Sequence, residues 1–138
     1  MRPSSIIRLH PTESHVLRVF IWKSHDDMYY ALRNIRHEGE DNYGGYFGVK
    51  ETRVFVEDNG SQTILSKNVG DIHLVLNHFG AGVFAHELQH FMMSWIDNAG
   101  WHDILGEYWE PIALLSGDIT NEFWTKFYEK YQRRLPRD

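Results

Sequence analysis

Over residues 82–98, apolar side chains recur on most sides of a helix. Val83, Phe84, Leu88, Phe91, Met92, Trp95 and Ile96 cover so much of its circumference that the segment has to be packed on several sides. A chain holding such a helix needs other elements to cover it. Upstream, HVLRVFIW (His15–Trp22) is rich in β-branched and aromatic residues and reads as a strand. Ser24 suits an N-cap, with Asp27 in the capping-box position. A helix over 25–36 follows, with Met28, Leu32 and Ile35 on one face. Residues 37–48, crowded with Gly and Asn, read as a loop, either a connector with aromatic anchors or a flap around Tyr43–Tyr46.

Residues 49–57 and 62–66 read as two strands joined through Asp58-Asn59-Gly60, where Asn-Gly favours a hairpin. A further turn is expected at 68–71 and another strand at 72–77 (IHLVLN), broken by HFGAG. After the apolar helix, Gly100 is a natural stop. Pro111 suits the first turn of a last helix reaching about 133, seamed by Ile112, Leu115, Ile119, Phe123 and Phe127. These readings predict an α+β fold, a small and mostly antiparallel sheet packed on the apolar helix and the C-terminal helix. The 138 residues fit one domain, 1–138.

The net charge of −5 and the scattered Lys and Arg give no basic stripe, so nucleic acid is not the expected partner. With no cysteine, thiolate zinc sites, disulfides and cysteine nucleophiles are excluded. The N-terminal MRPSSIIRLHP lacks an apolar signal core, and no run reaches the ~18 apolar residues of a membrane span. The expected location is cytoplasmic, with no membrane contact.

Inside the apolar helix, residues 86–90 read His-Glu-Leu-Gln-His. Four helical residues turn through ~400°, which leaves His86 and His90 about 40° apart and ~6 Å along the axis. Both imidazoles can reach one tetrahedral cation. Glu87, rotated ~100° from His86, is placed to flank a water on that cation as general base. Chance supplies roughly 0.04 such windows in a chain of this composition. Two imidazoles and a carboxylate in an apolar helix are costly without partners. His10, His15, His25, His37, His73 and His78 share no ligand spacing and read as ordinary surface or core residues.

Val83-Phe84-Ala85-His86-Glu87-Leu88-Gln89-His90-Phe91-Met92 resembles the extended HExxH signature of the zincin metallopeptidases. The metzincin continuation, with Gly and a third His, does not match at Asp97 and beyond. Glu110 follows His90 after nineteen residues, the spacing of the gluzincin branch and its thermolysin-like enzymes. The stretch Glu110-Pro111-Ile112-Ala113-Leu114-Leu115-Ser116-Gly117 is similar to the glutamate helix of small HExxH proteins from phages and prophages. Leu114 stands where the thermolysin pattern has an Asp.

The resemblance implies a minimal zincin-like domain, with Zn2+ held by His86, His90 and Glu110. It implies hydrolysis of peptide bonds in a peptide or protein substrate, by a metal-activated water with Glu87 as general base. Glu107 competes with Glu110 for the third-ligand place, and His102 or Tyr108 are candidates to hydrogen-bond the oxyanion. The strand at 72–77 would lie beside the cleft and offer an edge to substrate. The alternative from another class is a non-catalytic, zinc-stabilised binding module.

Overall fold

A computed structural model describes residues 2–33, 44–48, 51–99 and 105–131. Five strands and three helices follow one another among these residues. They are β1 (Ser5–Leu9), β2 (His15–Trp22), α1 (His25–Leu32), β3 (Gly44–Phe47), β4 (Glu51–Val56), β5 (Gln62–Val75), α2 (Ala81–Ala99) and α3 (Leu105–Tyr131). The class is α+β, as predicted. The sheet runs β1-β2-β5-β3, with β4 also on β5. It is mixed: β2 lies parallel to β5 (Val19 opposite Ile72), whereas the other pairings are antiparallel.

Side-chain alternation on the central strands sorts the core into two layers. Leu17, Val19 and Ile21 of β2, with Ile72 and Leu74 of β5, face α2 and α3, where Phe84, Leu88, Phe91, Met92, Ile119 and Phe123 cover them. The Phe84 and Phe123 rings stack at 4.0 Å with 8° between planes, locking α2 to α3. The opposite face carries Trp22 and Val75 under Met28 and Leu32 of α1. Ser24 caps α1 by accepting from the Asp27 N–H at 3.2 Å, as its sequence position foretold. Beyond α1, the expected continuation to residue 36 lies outside the described residues.

Several expectations are corrected. Residues 44–47, read as loop, form an edge strand antiparallel to β5, Gly44 opposite Leu74 and Tyr46 opposite Ile72. The turn expected at 68–71 is absent, because β5 runs unbroken from Gln62 to Val75 and absorbs an irregularity in its pairing with β2 beside Leu17. The 72–74 stretch is therefore central, flanked by β2 and β3, and offers no free edge. Pro111 lies inside α3 rather than at its first turn. The Asp58-Asn59-Gly60 hairpin is present: Gly60 takes a φ of 86° and donates its N–H to the Glu57 carbonyl at 2.9 Å.

Among the described residues, no helix is long and apolar enough to cross a membrane. The α3 helix is tied to β1 by polar contacts. The Ser5 and Tyr131 hydroxyls lie 2.6 Å apart, Glu122 accepts from the His10 backbone N–H at 2.7 Å, and Lys126 donates to the Arg8 carbonyl at 2.7 Å.

Candidate metal centre

The β5 strand ends at Val75, Asn77 turns the chain with a φ of 70°, and α2 begins at Ala81. The turn fixes which side of α2 meets the sheet. Phe84, Leu88, Phe91 and Met92 are buried against it, which leaves His86 and His90 one turn apart on the exposed stripe. Their rings lie 5.0 Å apart, nearly perpendicular at 78°. Glu87 is buried beside β3, its side chain keeping only 8% exposure against 69% for His86, and its carboxylate still reaches the His86 ring.

Edge strand β3 makes this placement possible. A Cβ on Gly44 would come 3.0 Å from Val83 Cγ1 and 3.5 Å from Glu87 Cγ. Glycine there lets the strand backbone close over the helix at the point where Glu87 is buried. Tyr46, on the same face of β3, lies nearly parallel to the His90 ring (6.4 Å, 12°) and edge-on to Phe91. Its own ring lies over Gly70, where a Cβ would fall 2.8 Å from Tyr46 Cε1. Burial raises the Tyr46 phenol above its usual pKa; the Ser94 side chain partly offsets this and Asp71 adds to it.

The donor atoms of His86, Glu87 and His90 all lie within 4.8 Å of one another, and His86 Nε2 is 3.7 Å from Glu87 Oε1. Two neutral-capable imidazoles and a carboxylate form a donor set suited to a divalent transition metal, zinc among several. Among the described residues no other group of three His, Asp or Glu donors converges in this way.

The sequence-predicted residues divide accordingly. His86, Glu87 and His90 are brought together. Glu110, exposed on α3, is not in the converging group. The side chains of Glu107 and Tyr108, and the whole of His102, lie outside the described residues. Of the other histidines, His10 meets Glu122, His15 lies 2.6 Å from Thr12 Oγ1, and His73 Nδ1 accepts from Trp22 Nε1 at 3.0 Å. Gly44 as the backbone clearance over Glu87, and Tyr46 as the ring beside His90, were not singled out from sequence. The adjacent aromatic residues Tyr46 and Phe47, types that favour strands, are the one signal that could have pointed to a strand there.

Searches of protein families, of curated proteins and of solved structures found no match to this chain.

Proposed function

We propose that this chain is a zinc-dependent peptidase whose metal is held by His86 and His90 and whose general base is Glu87. One observation carries the proposal: two exposed imidazoles and a buried carboxylate meet within 4.8 Å, beside a strand edge. Zinc, when bound, supplies Lewis-acid activation of water and of the scissile carbonyl. His86 and His90 would hold it from successive turns of one helix. The Glu87 carboxylate takes a proton from the attacking water and delivers it to the leaving amine. Its burial under Gly44 keeps bulk water from competing for that proton.

The outer side of β3 carries no strand among the described residues, so an extended peptide adds there, antiparallel to β3 and alongside α2. This moves the proposed substrate edge from 72–77 to Gly44–Phe47. Glu110 is the proposed third protein ligand on its spacing from His90 alone; its carboxylate is not among the converging donors. A purely structural zinc site is disfavoured by Glu87, since a cation that only holds the fold together needs no carboxylate beside it to take a proton.

The test is metal analysis together with turnover of a broad peptide library. Wild type and Glu87→Gln should each bind one zinc, and the variant should lose about 10²–10⁴-fold in turnover. A chelator should abolish turnover while the far-ultraviolet circular dichroism stays native. Glu110→Gln should weaken zinc binding more than Glu107→Gln. Zinc bound by both proteins with no cleavage by either would rule out the peptidase and leave a binding module.

A further inference from the structure

The far end of β5 leaves the sheet. Its pairing with β2 starts at Lys67, so residues 62–66 pair with β4 alone. The two strands form an arm in which every described side chain from Val54 to Thr63 is exposed. Val54, Phe55 and Val56 are 40%, 55% and 56% exposed. Consecutive strand residues point to opposite faces, so the arm is apolar on both, Val54 and Val56 on one and Phe55 on the other. The outer edge of β4 carries no strand among the described residues. A two-stranded ribbon of this kind is marginal in water, and an uncovered apolar edge is a template for pairing.

The backbone shows which groups are on offer. The Glu57 N–H donates inward to the Ser61 carbonyl at 2.8 Å. Alternation then turns the peptide groups of Val56 and Val54 outward, away from β5.

We infer that β4 pairs with β4 of a second copy of this chain, antiparallel, about a two-fold axis through Phe55. In a two-fold antiparallel pair the central residue faces its own counterpart, so the apolar run permits three registers. An axis through Val54 sets Glu51 against Glu57 of the second copy. An axis through Val56 sets Phe55 against Glu57 and Val54 against Asp58. An axis through Phe55 sets Val54 against Val56 and Arg53 against Glu57, each twice. Only this last register places opposite charges opposite each other and apolar residues together. In it the outward peptide groups of Val54 and Val56 exchange hydrogen bonds, while Phe55 occupies a non-hydrogen-bonded pair, where side chains approach more closely. The strand is thus complementary to itself in pattern, charge and bonding phase. The contact is small, so the dimer is concentration-dependent.

Sedimentation equilibrium on the full chain across a concentration series tests this. The mass should rise with concentration from 16.3 kDa toward twice that value. Phe55→Glu should hold it at the monomer value, with unchanged circular dichroism because the site is exposed. Arg53→Glu and Glu57→Arg should each weaken the dimer at least tenfold, and the double swap should restore it. A wild type that stays monomeric at the highest attainable concentration overturns the inference. So does a dimer indifferent to Phe55→Glu, or a double swap that fails to rescue.

Discussion

Replacing Gly70 by Ala probes the packing that seats Tyr46 beside the candidate metal ligands. The new Cβ would lie 2.8 Å from Tyr46 Cε1, 3.1 Å from its hydroxyl oxygen and 3.3 Å from Leu17 Cδ1. Ordinary carbon contacts begin near 3.5 Å, so the ring has to move by roughly 0.7 Å. It has little room, with His90 on one side and Phe91 on another. Overpacking of this kind costs about 1–3 kcal/mol. The unfolded chain loses freedom with Ala, which returns about 0.4–1 kcal/mol. The net is a loss of about 1–2 kcal/mol, read as a lower urea midpoint at constant slope. For a domain of this size that is a fall of roughly 3–10 °C in Tm. A double-mutant cycle with Tyr46→Leu isolates the cause, because leucine removes the ring atoms the Cβ would meet and keeps an apolar filler. In that background Gly70→Ala should cost no more than a few tenths of a kcal/mol, about the limit of additivity error. An equal cost in both backgrounds would refute the packing account.

Asp71→Ala removes the acceptor of two Arg18 bonds, at 2.8 and 2.9 Å, and of a third from Asn68; urea unfolding should show a loss of about 1–3 kcal/mol. Trp22→Phe takes the indole donor from His73 Nδ1 in a buried setting and should cost about 1–3 kcal/mol in the same assay, whereas substitutions at exposed Glu129 should not register. Burial alone would raise the Glu122 pKa, but bonds from His10 and Lys126 outweigh it and leave the carboxyl below its ordinary value. A depressed folded pKa contributes stability above the unfolded value of 4.5 that is lost as pH falls through the folded value. Wild type should therefore exceed Glu122→Gln by up to about 1 kcal/mol at neutral pH, and the gap should close in acid; a gap that persists at pH 3 or so would contradict the sign.

What could be read from the sequence was local. The strand at His15–Trp22, the Ser24 cap, the Asn-Gly hairpin and the apolar helix around His86, Glu87 and His90 follow from residue type and from spacing within one element. A helix dictates which of its residues share a face, so two imidazoles four apart had to approach each other wherever the helix went. The neighbours of that helix depended on contacts distant along the chain. Glycines at 44 and 70 looked like loop and turn signals because local propensity favours that reading. Both are instead clearances, one for Glu87 under an edge strand and one for the Tyr46 ring. Pro111 looked like a helix start, yet it lies inside α3. The parallel pairing of β2 with β5, the burial of Glu87 beside exposed His86, and the exposure of Glu110 away from the converging donors were all decided by tertiary packing. Such packing chooses among arrangements that satisfy local preferences equally, through the apolar surface each one buries.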